Sequence, residues 1–133
     1  TAVAAMVIQS SGFRDDKGNR IDVNMDELWY PQDLYEEAFE IVESMGKVDS
    51  AQNNRNVHYG AYTLKKWRYL TDTNNWAMCD SALRKQMVGW TDRVGMEFAM
   101  AEDLDTMVGK WRGYMRYAMG QWDWRWIIGA SVS

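Results

Sequence analysis

The stretch Gly109-Lys110-Trp111-Arg112-Gly113-Tyr114-Met115-Arg116-Tyr117-Ala118-Met119 decides the fold class at this end of the chain. Its odd positions hold Gly109, Trp111, Gly113, Met115, Tyr117 and Met119, and its even positions hold Lys110, Arg112, Tyr114, Arg116 and Ala118. Side chains of a β-strand point alternately to opposite faces, so this period of two predicts a strand with an apolar face inward and a basic face outward. After Gly120-Gln121 the alternation resumes, with Trp122, Trp124, Trp126 and Ile128 on one side and Asp123, Arg125 and Ile127 on the other. A glycine-first pair suits a two-residue hairpin loop. The expectation is therefore a closing antiparallel pair of strands, strengthened by aromatic contacts and by Asp123 pairing with Arg116 or Lys110.

Working back from that end, Glu102-Asp103-Leu104-Asp105 reads as a turn between strands rather than a cation site. Residues 82–100 leave strand and loop both open. Trp76-Ala77-Met78-Cys79 predicts a short strand after the turn Thr71-Asp72-Thr73-Asn74-Asn75, and Tyr62-Thr63-Leu64 and Trp67-Arg68-Tyr69-Leu70 are rich in β-formers. Residues 47–60 are polar and read as a long surface loop that includes Asn53, Asn54 and Arg55. Before it, Leu34, Ala38, Ile41, Val42 and Met45 recur at helical spacing opposite Glu36, Glu37, Glu40 and Glu43. Asp33 with Glu36 offers a capping-box start and Gly46 a stop. The glutamates read as a solvated helix face rather than a metal or catalytic cluster.

Leu28-Trp29-Tyr30 is a short extended stretch ahead of Pro31, and Ala2 to Ser10 reads as the end of a buried helix. Between them Arg14-Asp15-Asp16-Lys17-Gly18-Asn19-Arg20 is an exposed turn. A calcium loop fails there, because placing Gly18 at the sixth loop position puts Phe13 where the first acidic ligand must stand. Opening on Thr1 without a methionine, the chain reads as a processed product or a fragment.

Composition narrows the functional classes. The 133 residues are 47% apolar and 26% charged, with eight tryptophans and one proline, which suits a globular chain rich in contact surface. Residues 1–60 carry a net −6 and residues 61–133 a net +2, an arrangement suited to identical copies packing acidic face to basic face. No apolar run approaches the roughly 20 residues of a membrane-spanning helix. Cys79 and His58 are the single cysteine and histidine, so an internal disulfide is impossible. Neither residue has a signature context for nucleophilic chemistry, and no metal-ligand spacing or phosphate-binding glycine pattern occurs. Catalytic, cofactor and metal residues are accordingly expected to be none. Lys65-Lys66-Trp67-Arg68 combines charge with an indole, yet the pI of 4.9 favours a subunit contact over nucleic acid. The Trp122, Trp124, Trp126 stripe could serve as a sugar platform, although packing is the commoner use of such a row.

In order and spacing the pieces resemble the C-terminal half of the major capsid (head) proteins of tailed bacteriophages, of the Hong Kong 97 type. The similarity runs through Met6, Gln9, Asp16 and Gly18, then Leu28, Pro31, Leu34 and Ala38. It continues through Leu70-Thr71-Asp72-Thr73 with Trp76, Asp80-Ser81 and Asp105-Thr106, and closes on Arg112, Arg116, Tyr117, Gly120 and Asp123-Trp124-Arg125. The resemblance implies an α+β fold. Residues 1–107 would form an axial-domain-like region of helices on a mixed or antiparallel sheet, and residues 108–133 strands returning to the peripheral domain. The N-terminal arm, extended loop and spine helix would lie upstream of Thr1.

It also implies a non-enzymatic shell subunit assembling into pentamers and hexamers of an icosahedral head around double-stranded DNA. Such a subunit occupies the host cytoplasm during assembly and then the virion. Its partners would be sibling copies, with portal, scaffold or decoration proteins, indirect contact with packaged DNA, and no membrane. The interface candidates are Asn53, Asn54, Arg55, Lys110, Arg112, Arg116, Asp123 and Arg125. An encapsulin-like compartment shell and a tryptophan-rich carbohydrate-binding module are the alternatives.

Overall fold

A computed structural model describes residues 1–46 and 55–132 and divides the chain into two compact units, Thr1–Met87 with Asp123–Ser133, and Val88–Trp122. The protein is α+β, with three α-helices and two sheets among the described residues. Position 107/108, where the sequence reading divides the chain, falls in a turn of the second unit.

The first unit is built around β1 (Glu27–Tyr30), three of whose four residues are buried. β2 (Thr63–Lys66) pairs parallel to it, and β3 (Trp76–Cys79) antiparallel on its other side. β6 (Ile127–Ala130) then pairs antiparallel with β3, giving the order β2-β1-β3-β6. A parallel neighbour requires a crossover, and α2 (Tyr35–Glu43) lies in the connection from β1 to β2. α2 and α1 (Ala2–Ser10) supply Val3, Met6, Ala38 and Val42 to a core shared with Leu28, Tyr30, Met78 and Ile128.

Local chemistry explains several boundaries. Thr1 caps α1 by accepting a hydrogen bond from Ala4 N–H at 3.4 Å. In the following turn the Asp15 carboxylate accepts from the N–H groups of Lys17 and Asn19 at 2.9 and 2.7 Å, while Gly18 adopts φ +83°, which a side chain would resist. These elements, the strand at 76–79 and the helix after Pro31 match the sequence expectation.

Three local expectations need correction. The Asp33–Glu36 capping box does not form, because Pro31 starts a 3₁₀ turn at Gln32–Leu34 and Asp33 lies inside it, where its side chain cannot cap α2. The helix stops at Glu43, with Ser44 extended, before Gly46 is reached. Its free carbonyls are met from outside: Asn56 Nδ2 donates to Ile41 and Ser44 carbonyls at 2.7 and 2.9 Å, and Gly60 N–H donates to Val42 at 2.8 Å. The β-rich Trp67–Leu70 segment forms a turn, and Trp67 packs edge-on against Trp29 with ring centroids 5.1 Å apart.

The larger correction concerns the closing pair. Residues 109–119 are extended as expected, but their partner is not the 122–128 segment. α3 (Ser81–Met87) is followed by β4 (Val88–Asp103), which pairs antiparallel with β5 (Val108–Gln121). The reversal lies at Leu104–Met107, where Met107 takes φ +52°, and not at Gly120-Gln121. Residues 122–126 form a bend and a turn that carry the chain into β6.

Candidate functional site

The second unit is a two-stranded hairpin on which no residue of β4 or β5 is buried. Residues directly opposite on paired strands share a face. The register Trp90↔Met119, Phe98↔Gly113 and Met100↔Trp111 therefore gathers Trp90, Phe98, Met100, Trp111, Tyr117 and Met119 on one face. Phe98 is 75% exposed, Trp111 80% and Met119 73%. The opposite face pairs small residues of β4 with cations of β5 in Ala99↔Arg112 and Ala101↔Lys110, and it also holds Val94↔Arg116 and, between the arginines, Glu97↔Tyr114.

Irregular pairing preserves this sorting. Between Asp92 and Val94, and again between Val94 and Glu97, β4 advances one residue more than β5. Each extra residue reverses which face later side chains occupy. Two reversals restore the original parity, so Phe98 and Met100 stand on the same face as Trp90. Glycines serve the aromatics directly. A Cβ on Gly89 would come within 2.3 Å of the Trp122 indole, and one on Gly113 would meet the Phe98 ring at 3.4 Å. Trp90 stacks on Tyr117 at 4.3 Å and donates its indole N–H to Asp92 at 2.7 Å.

The cations are unequally engaged. Lys110 donates to Asp103 at 2.8 Å, and this bond is the main cause that holds the Asp103 carboxyl below its ordinary range. Arg112 and Arg116 have no ion pair among the described residues. The structure thus brings Lys110, Arg112 and Arg116 onto one face. Asp123 and Arg125 belong to the first unit instead, where they pair with each other at 2.7 Å and Arg125 reaches Asp16 at 3.4 Å. The expected pairing of Asp123 with Arg116 or Lys110 is replaced by these contacts. Arg55 is exposed and bridges to Gly46; Asn53 and Asn54 lie outside the described residues. Trp90, Phe98 and Met100 were missed by sequence reasoning. The large-small alternation Phe98-Ala99-Met100-Ala101 was the available signal, obscured upstream by the two extra residues.

The first unit holds a buried polar group around the start of α3. Asp80 accepts hydrogen bonds from the N–H groups of Ala82, Leu83 and Asn24, each at 2.9 Å. Buried Glu27 accepts from Trp29 Nε1 at 2.9 Å and pairs with Arg84 at 3.2 Å. Asp26 accepts from both the hydroxyl and the N–H of Ser81. Burial pushes the Asp26 carboxyl up, but these bonds outweigh it and hold the group below its ordinary value. Beside this network, burial first and the Glu27 carboxylate second push the Cys79 thiol up to about 12, so it stays protonated at neutral pH. His58 hydrogen-bonds Thr1 Oγ1 at 3.3 Å and the Tyr62 hydroxyl at 3.4 Å.

The expected tryptophan stripe is not a flat platform. Trp122 covers Gly89, whereas Trp124 meets Phe13 edge-on in the first unit at 5.3 Å. A groove of about 380 Å³ between α1, α2 and β1 is lined mainly by apolar side chains, including Val3, Leu28, Ile41 and Trp76. Among the described residues no group of three His, Cys, Asp or Glu side chains is placed to hold a metal ion, and no helix is long and apolar enough to cross a membrane. No family model, curated protein or solved structure matches this chain.

Proposed function

We propose that this chain is the C-terminal part of a shell subunit, a major capsid protein of the Hong Kong 97 type that assembles into an icosahedral phage head around double-stranded DNA. The observation that carries the reading is the hairpin Val88–Trp122, a whole unit with large apolar side chains on one face and no buried residue in either strand. A lone two-stranded hairpin is at best marginally stable in water. Fully covering one large apolar side chain contributes roughly 1.5–3 kcal/mol. Six such residues on a single face therefore favour a covered state, and repeated subunit contacts supply that cover many times over.

In this reading the four-stranded first unit serves as the axial domain and the hairpin supplies peripheral strands, with β6 rejoining the axial sheet. The resemblance in motif order supports the shell reading, although its division at 107/108 differs from these two units. Shell stability then arises from many contacts of ordinary size, about 1,600 Å² each, rather than from one tight one.

Electron microscopy of particles formed by the full-length polypeptide tests this directly. Closed icosahedral shells containing DNA are expected. Shells that enclose protein cargo and no DNA would move the assignment to an encapsulin-like compartment, and a stable monomer retained on a glycan array would reject the shell reading.

A further inference from the structure

We infer that the basic face of the hairpin docks onto the acidic face of α2 in a neighbouring copy, an inference that rests on the shell reading. Three observations carry it. Glu36, Glu40 and Glu43 recur at i, i+4 and i+7 on α2, are all exposed, and have no ion pair among the described residues. Arg112 and Arg116 share one hairpin face and are equally unpaired.

The spacings also agree. Four residues of strand set Arg112 and Arg116 about 13 Å apart. Seven residues of helix set Glu36 and Glu43 about 10.5 Å apart, a difference long arginine side chains absorb. Finally, Ala99 and Ala101 face Arg112 and Lys110, leaving room for a helix to approach that end of the hairpin, whereas Val94 and Glu97 stand opposite Arg116 and Tyr114. The same helix face exposes Phe39, whose ring can take up the aliphatic part or the charged plane of an arginine.

A contact between different patches of two copies is heterologous, and it forms rings where the rotation between copies closes, as the shell reading requires. It therefore predicts that charge reversal on one patch is rescued by reversal on the other. In the full-length polypeptide, Arg112→Glu with Arg116→Glu makes both surfaces mainly acidic, and Glu40→Lys with Glu43→Lys, which keeps Glu36, makes both mainly basic. Each variant alone is expected to lose particles by at least about tenfold, because like charges then meet across the contact. The chain carrying all four changes is expected to assemble alone, which also verifies that the reversed surfaces fold.

Assembly of either two-site variant at the wild-type level overturns the inference. So does a four-site chain that fails to assemble. Absence of particles from the wild-type polypeptide itself would instead remove the shell reading beneath it.

Discussion

At the residue scale, the arrangement around α3 shows how buried charge is kept. Glu27 is buried at the start of the inner strand β1, an expensive position unless its oxygens are satisfied, and Trp29 Nε1 and Arg84 satisfy them. Asp26 holds Ser81 in the same way, and its folded-state pKa lies below the unfolded value. The sign follows: the unfolded chain binds the proton more readily, so this contribution is complete above about pH 4 and fades as the pH falls through the folded value. Urea unfolding at a series of pH values is expected to show wild-type stability declining below about pH 4, with Asp26→Asn less stable at pH 7 and less sensitive to acid. Parallel acid profiles for the two proteins would contradict this. None of these partnerships was legible in the sequence. Asp26 and Ser81, or Glu27 and Arg84, are more than fifty positions apart and meet because β3 lies beside β1.

At the element scale, the hairpin depends on counting. Its two extra β4 residues return Phe98 and Met100 to the face of Trp90. Deleting Gly95 alone leaves one reversal and sends Phe98 and Met100 to the arginine face. On the shell reading proposed above, particle yield is then expected to fall by about tenfold or more, whereas deleting both Arg93 and Gly95 restores parity and with it the yield. Equal yields from the two deletions, counted by electron microscopy, would refute the role given to the bulges. β5 was readable because its alternation is unbroken from Gly109 to Met119. β4 was not, since Arg93, Gly95 and Met96 interrupt the period. Without β4, the tryptophan-rich segment after Gly120 was the nearest alternating partner, and the turn chemistry of Gly120-Gln121 favoured it. Long-range pairing with β4 overrode that local signal.

At the scale of the whole molecule, the first unit is discontinuous in sequence. β6 pairs Ile128 with Met78 of β3 after the chain has run through the hairpin, and Asp80 N–H donates to the Trp126 carbonyl at 2.9 Å. The last strand therefore completes a core begun more than a hundred residues earlier by Val3 and Met6. Ile128→Ala is expected to cost about 2–5 kcal/mol, as truncation of a buried residue does. Met119→Ala, on the exposed hairpin face, is expected to stay within about 0.5 kcal/mol for folding. Urea midpoints at neutral pH measure the difference, and similar values would show that β6 is not part of the cooperative core. The sequence alone determined the Asp15 turn, the helix after Pro31, the strand at 76–79 and the two-faced character of β5, because periodicity and turn chemistry act over a few neighbouring residues. Only the tertiary structure decided which strand lies beside β5, where β6 goes, why Glu27 can be buried, and that the aromatic face is uncovered. Alternation says which side chains share a face, whereas the partner is selected by contacts between segments that local pattern cannot rank.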